Sequence, residues 1–383
     1  MLVDADLHIH SRFSIGTSRS ISLPLLESGC LRKGISVLGS GDAFQREWRR
    51  ECLEYAAEGQ GVLLVPSAEV EDARRIHHLI LMEDFDSFAS LAEFIWPRSP
   101  NLERRGRPRI EMGGAEIAFH VHEHGGLVGP AHAFTPWTSL YAACDSLSSC
   151  YGEERIDFLE LGLSADSSYG ACISELRGIP FLSNSDAHSA KPHALGREWN
   201  RLEIGSLDVK AVLGAIKSGN IVANAGLFPE LGKYNRTACS RCYRQYSLVE
   251  AMRLQWRCPA DGGRLKKGVS DRVMELSDAP PSFRPPYLHL IPLISLIGME
   301  LGIASQESVE AQALYERLLE ALGNEIGVLT TVPIARIAAV NKGVADAIRA
   351  LREERIAIHP GGGGRYGRIY LEKSKDYQSN AHT

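Results

Sequence analysis

Apolar runs in the first half of this chain keep ending on a residue able to hold a cation. Asp42 follows ISVLGSG, Glu69 follows VLLVPSA, His132 follows GLVGPA, Glu160 closes the run that opens with DFL, and Asp186 follows IPFLSNS. Between these runs lie stretches of helical character such as REWRRECLEYAAEG. Short apolar strands alternating with helices specify an α/β fold, wound open or closed into a barrel. Polar residues repeatedly placed at strand carboxyl ends favour the barrel, because there those ends converge on one face and assemble a site from distant segments.

The first strand adds to that inventory. In DADLHIHSRFS a period of two puts His8 and His10 on the same face, and neutral imidazoles are good ligands for zinc, manganese or iron. Asp186 and His188 in NSDAHS repeat the alternation after another apolar run. Glu69, placed to bridge two ions, His77 and His78 in RRIHHLIL, and His132 complete the set, with one of the adjacent histidines expected to be structural. The inventory fits two or three divalent ions, an arrangement suited to activating water and stabilising both oxygens of a phosphoester undergoing displacement.

Length and composition set limits on the rest. A chain of 383 residues exceeds one ordinary domain, and its 44% hydrophobic and 23% charged residues are those of a globular protein. No apolar run reaches roughly 18 residues, the length needed to span a bilayer, and the amino terminus lacks a basic-then-apolar leader. A cytoplasmic protein that does not enter the membrane is expected. The formal net charge of -5 gives no global attraction to nucleic acid, so such a partner must meet local basic patches.

One such patch is RSPNLERRGRPR, with Arg104, Arg105 and Arg107, which reads either as a phosphate-gripping loop or as a solvated one. His120, His122 and His124 alternate within a helical stretch, so they share no helical face and read as surface residues. Trp137 and Tyr141, four apart, read as core packing rather than as a stacking platform for a base.

Eight cysteines are too few for a disulfide scaffold in a chain this long, but Cys239-x-x-Cys242 and Cys258-Pro-Ala-Asp261-Gly-Gly have the layout of a zinc ribbon. Asp261 stands where a fourth cysteine is usual. A carboxylate can complete a tetrahedral zinc site, so one structural zinc on Cys239, Cys242, Cys258 and Asp261 is expected; the alternative is a module that folds without metal. Arg244, Lys266 and Lys267 make this module basic and suited to holding DNA. A proline-rich strap, DAPPSFRPPY, then leads to helical segments and a terminal HPGGGGRYG between two short strands. The expected division is a barrel over 1–230, a ribbon-like module over 231–280 and a helical region with a glycine-rich hairpin over 281–383.

Several motifs together carry a family resemblance. HIH at 8 to 10, SAEV around Glu69, the HH pair, PAHAF and NSDAHS resemble the polymerase and histidinol phosphatase (PHP) superfamily. GSGDA, PAHAFTPW, LELGLSAD, FLSNSDAHS, the cysteine module and HPGGGGRYG resemble more closely the endonuclease Q family, over nearly the whole chain. The resemblance implies a distorted barrel of seven βα units with a trinuclear metal site. It further implies a repair nuclease cutting DNA 5′ to uracil, hypoxanthine, xanthine or an abasic site.

By that resemblance His8, His10, Glu69 and Asp186 hold one ion, Glu69, His77 and His132 a second, and His188 with Asp42 a third; Asp186, Glu69 and His8 are the residues expected to be catalytic. The ions are expected among zinc, manganese, magnesium and iron. Gly363 and Tyr366 in the terminal hairpin are expected against DNA. Where the family places a histidine three residues beyond the aspartate of GSGDA, this chain has Gln45, a poor ligand for a transition metal. The competing readings are a small-molecule phosphoesterase of the PHP superfamily and a degraded barrel that only binds nucleic acid. Recruitment by a sliding clamp is not readable, and the polar tail from Lys373 carries no clear docking peptide.

Overall fold

The computed structural model describes residues 1–58, 61–99, 101–303 and 305–371. The tail from Lys373 therefore lies outside the described residues. Three parallel strands open the chain: β1 (Leu2–Asp6), β2 (Val37–Gly39) and β3 (Leu63–Val65). Then β4 (Ser67–Glu71), β5 (His77–Leu81) and β6 (Leu127–Pro130) run antiparallel to one another as a separate sheet. A short parallel pair follows, β7 (Leu159–Glu160) and β8 (Phe181–Leu182). Next, β9 (Trp199–Glu203) lies antiparallel to β1, and β10 (Ile221–Gly226) antiparallel to β9.

The α/β class is as expected, and the antiparallel meander and the reversed β9 are where the fold departs from repeated parallel βα units. Between the separate sheets, a buried amide network supplies bonds that a continuous backbone ladder would otherwise make. Asn184 Oδ1 accepts from Leu7 N at 2.9 Å and from Asn200 Nδ2 at 2.9 Å, while Asn200 Oδ1 accepts from Ser183 N at 2.8 Å and Asn224 Nδ2 at 2.9 Å. Buried polar groups satisfied this way fix register where strand pairing alone is incomplete.

Period two in and beyond β1 sends Val3, Ala5 and Leu7 into one apolar cluster, leaving Asp6, His8 and His10 on the opposite face. The glycines of GSGD let the neighbouring segment come this close. A Cβ on Gly39 would lie 2.2 Å from the Leu7 carbonyl oxygen, and one on Gly41, itself at φ 60°, 2.2 Å from that of Ile9.

The cysteine module contributes the small sheet β11 (Ala238–Cys239) and β12 (Leu265–Lys266), and β13 (Tyr287–His289) joins the main sheet beside β10. Helices then dominate from Leu293 to Arg352, ending in the antiparallel pair β14 (Ile356–His359) and β15 (Arg368–Leu371). The glycine run between that pair packs on the cysteine module. A Cβ on Gly363 would stand 2.2 Å from the Cys239 carbonyl oxygen. Gly363 is buried by that contact.

A buried ion pair ties the helical region to the first helix. Lys33, at the end of Leu23–Lys33, donates to Glu325 at 2.8 Å, and both side chains are 2% exposed. Glu325 also accepts from Leu293 N at 3.0 Å and from the Tyr315 hydroxyl at 2.7 Å, so the charge is fully partnered. Among the described residues no helix is long and apolar enough to cross a membrane.

Candidate metal centre

The strand-end residues meet in one buried cluster. His8 Nδ1 lies 2.9 and 3.0 Å from the two oxygens of Glu160, and His10 Nδ1 lies 3.1 Å from Asp42 Oδ1. An ionised carboxylate only accepts, so each Nδ1 carries the proton and each Nε2 turns its lone pair inward. Both Nε2 atoms, and Asp186 Oδ1 with them, are buried without a hydrogen-bond partner. They converge: His10 Nε2 is 3.1 Å from Asp186 Oδ1 and 3.3 Å from Glu69 Oε2, and His8 Nε2 is 3.8 and 3.9 Å from Asp186 and Glu69.

Beside them, His77 Nδ1, His132 Nε2 and Glu69 Oε1 form a triangle with sides of 2.7, 2.9 and 3.2 Å. Glu71 lies 3.4 Å from His77 Nε2, and Thr135 Oγ1 3.1 Å from His132 Nδ1, so the outer nitrogens are engaged and the inner pair face each other. Two imidazole lone pairs aimed at one carboxylate oxygen need a positive charge between them. His10, Asp186 and His188 make a further group whose ligand atoms lie within 4.8 Å. These donor sets are nitrogen and oxygen, they share Glu69 and His10, and they fit divalent ions.

Electrostatics point the same way. Burial alone raises the Glu69 carboxyl, but the neighbouring imidazoles of His77, His10 and His132 outweigh it and hold it well below the usual range. Asp186 is likewise held low against burial, chiefly by His10 and His8. Burial lowers His8, yet Glu160, Asp186 and Glu69 carry it up to about 9. His10 is drawn well above its ordinary value against burial, by Asp186, Asp42 and Glu69. The cluster is an anionic well that demands countercharge. Protons or cations can supply it.

Backbone geometry aims several of these side chains. Asp42, His132 and Asp186 adopt φ of 51°, 32° and 47°, in the left-handed region that costs a non-glycine residue on the order of 1–3 kcal/mol and gathers at functional sites. Asp6 anchors the segment carrying Asp186, accepting from Ser185 N and Gly196 N at 3.0 Å each.

Some expected residues land elsewhere. Asp42 stands behind His10 rather than beside His188, accepting from Ser11 N at 2.7 Å and from the hydroxyls of Ser11 and Ser14. Its oxygens are committed before any ion arrives. Gln45 turns away from the cluster to cap the helix Arg46–Ala57, its Oε1 accepting from Trp48 N at 2.6 Å. Arg107 reaches inward and donates to Glu69 Oε2 at 3.1 Å, whereas Arg104 and Arg105 remain exposed.

His77 faces the cluster and His78, its neighbour on β5, faces away, as successive strand residues must. Trp137 is 49% exposed and stands edge-on to Tyr234 at 4.5 Å, so only Tyr141, 1% exposed, is the core residue expected of the pair. The helix there is too short to put both on one face, spanning Leu140–Ala143. His120, His122 and His124 are half-buried on the surface of their helix and its end, away from the cluster. The sequence marks Glu160 only as a strand-end residue able to hold a cation, not as the partner of His8, and Asn184, which donates to it at 2.8 Å, carries no sequence signal.

In the cysteine module the ligand atoms of Cys239, Cys242, Cys258 and Asp261 lie within 4.8 Å of one another. Asp261 Oδ1 is 3.3 Å from Cys239 Sγ, and Cys242 Sγ is 3.7 Å from Cys258 Sγ, spacings that suit one tetrahedral zinc. Lys266 sits 5.9 Å from the Trp137 ring, Lys267 is paired with Glu275, and Arg244 is exposed beside Tyr366 along a groove lined by His359, Arg365 and Arg368.

A cavity of about 370 Å³ opens from the metal centre, lined by His132, Asp186, Trp137, Lys233, Tyr234 and Tyr366 among others. Lys233 Nζ lies 5.6 and 5.7 Å from the rings of Tyr234 and Tyr366. The pocket thus joins the cluster to aromatic faces and a cation.

Known proteins resemble the chain over most of its length. A crystal structure described as the lesion-specific endonuclease PfuEndoQ from Pyrococcus furiosus superposes with a TM-score of 0.93 at 46% identity, covering 97% of this chain and 96% of that one. A second, of endonuclease Q with a 27-mer duplex substrate bearing an abasic lesion at the active site, gives 0.92 at 44% identity, covering 98% and 100%. The uncharacterised protein MJ0043 of Methanocaldococcus jannaschii is 46% identical over 252 residues, 64% of this chain; the chain spans about a third, 32%, of that relative. A family model for the MJ0043 C-terminal domain matches residues 292–355.

Proposed function

The chain belongs to the endonuclease Q family, and on that premise we propose that it is a metal-dependent endonuclease cutting the phosphodiester 5′ to a deaminated base or an abasic site in DNA. The observation that carries this reading is the continuity between the cluster of unpartnered ligand atoms and the aromatic cavity beside it. A lesion-bearing residue turned out of the helix has space there, and a mispaired or missing base costs least to extrude. The neighbouring ribbon and terminal hairpin offer Arg244, Lys266, Tyr366 and Arg368 to the flanking strand.

Within the cluster, His8, His10, Glu69, His77, His132, Asp186 and His188 are the residues that would hold two or three divalent ions, with Asp42 and Glu160 orienting the first two histidines from behind. Such ions supply Lewis acidity to the attacking and leaving oxygens of a phosphodiester. The chain's own part is positioning: Glu160 and Asp42 set the tautomers of His8 and His10, and Arg107 steadies Glu69. The ribbon would hold one structural zinc. We assign the protein to the cytoplasm, with the barrel over 1–230, the ribbon over 231–280 and the helical region over 281–383.

End-labelled duplexes carrying one uracil, hypoxanthine, xanthine or abasic site test the reading. Products mapping to the 5′ side of the lesion, with the undamaged duplex left whole, support it. Intact duplexes together with hydrolysis of a small phosphomonoester transfer the function to the small-molecule class.

A further inference from the structure

A second set of metal-ligating side chains lies behind the site just described, on the far side of β5. Asp72, His78 and Cys150 place one ligand atom each within 4.8 Å of the others, and all three residues are buried. Asp72 and His78 are completely shielded from solvent, yet Asp72 Oδ2 and His78 Nε2 both lack a hydrogen-bond partner, although they stand 3.4 Å apart. Leaving such atoms unpaired in the interior is costly, so the pair calls for a partner.

The surrounding bonds aim them. Asp72 Oδ1 is taken by Arg74 N at 2.8 Å and Ile76 N at 2.7 Å, which turns Oδ2 toward His78. His78 Nδ1 lies 2.7 Å from the Tyr151 hydroxyl, which fixes the ring with Nε2 toward Asp72 and Cys150. Gly114 keeps the space open. A Cβ there would be 2.7 Å from Cys150 Sγ and 3.0 Å from His78 Cε1.

We propose that Asp72, His78 and Cys150 hold a structural zinc ion. A thiolate, an imidazole and a carboxylate are zinc's ordinary ligands, and ligands about 2.0–2.3 Å from a tetrahedral ion stand roughly 3.3–4 Å apart. The ion would staple the turn after β4, the strand β5 and the segment 144–151 into one unit. Its placement matters because His77, the next residue on β5, faces the catalytic cluster: zinc on one face would hold the register of a ligand on the other.

Zinc per chain, measured by plasma mass spectrometry on dialysed protein, tests this. The folded variants Cys150→Ser and His78→Gln are expected to hold one equivalent less than the parent; folded variants with unchanged zinc overturn the site. A second arm covers the case in which they fail to fold. The full chain with Cys239, Cys242 and Cys258 all changed to serine is titrated with Co²⁺. A thiolate-to-cobalt charge-transfer band is expected from Cys150, and its absence overturns the proposal in favour of a hydrogen-bonded Asp–His–Tyr cluster alone. Neither readout depends on cleavage of DNA, so failure here leaves the endonuclease reading untouched.

Discussion

Glu160 clasps His8 through both carboxylate oxygens, 2.9 and 3.0 Å from Nδ1, while the same side chain accepts from the backbone N–H of His132 at 2.8 Å. One buried acid therefore orients one inward-facing imidazole and fixes the strained turn that presents another. Replacing it by alanine is expected to leave a folded protein whose affinity for divalent ions in the cluster falls about 10–100-fold, the usual effect of losing such an outer partner. Calorimetric titration of the ion-stripped protein checks it; unchanged affinity means that Glu160 does not set the tautomer of His8.

Gln45 offers a contrasting outcome. Since its side chain caps a helix rather than facing the cluster, Gln45→Ala is expected to lower stability by about 1 kcal/mol and to leave ion affinity as it was. Denaturant unfolding paired with the same titration separates the two roles.

The interior pair between Lys33 and Glu325 makes a larger prediction. Lys33→Met strips the countercharge from a carboxylate that is 2% exposed, and a loss of about 3–5 kcal/mol is expected on urea unfolding. Lys33→Met combined with Glu325→Gln is expected to recover part of that loss, because no bare charge then remains inside.

Glu198 gives the protein a pH signature. Burial pushes its carboxyl up to about 8, against bonds from Leu227 N at 3.1 Å and Ser183 Oγ at 2.9 Å that act in the other direction. Its folded value lies above the unfolded one, so the native state keeps a proton that the unfolded chain releases. The stability this contributes is full at pH below the unfolded value, about 4.3, and is lost as pH rises toward 8. Glu198→Gln removes the titration while keeping an acceptor oxygen for the Leu227 N–H. Its melting temperature is expected to match the parent's near pH 5 and to exceed it near pH 9; parallel curves would argue against a buried acid.

What could be read from the sequence follows the range of the interactions. His8 with His10, and Asp186 with His188, were legible because local alternation places them. Glu69 and His132 were legible because each closes an apolar run. Asp42 closes one too, but a positive φ turns it behind His10, and no local pattern encodes that turn. Arg107 reads in the sequence only as part of a loop that either grips phosphate or is solvated, and its bond to Glu69, 38 residues away, is one that no local pattern encodes. The antiparallel β4 to β6 meander escaped because a buried strand reads alike in either direction. Asp72, His78 and Cys150 escaped for a similar reason: their spacing matches no metal motif, and only the fold of β5 against the 144–151 segment brings them together.

The most direct measurement is nicking of an abasic duplex by the intact chain, before and after removal of divalent ions and again after their return, alongside Asp186→Asn and an undamaged duplex. A cut 5′ to the lesion that vanishes with the ions, returns with them, and is lost at least 100-fold in the variant, an order expected when an interaction made in the transition state is removed, is the predicted result. Cleavage that persists without ions, is indifferent to Asp186, or falls equally on undamaged DNA would contradict it.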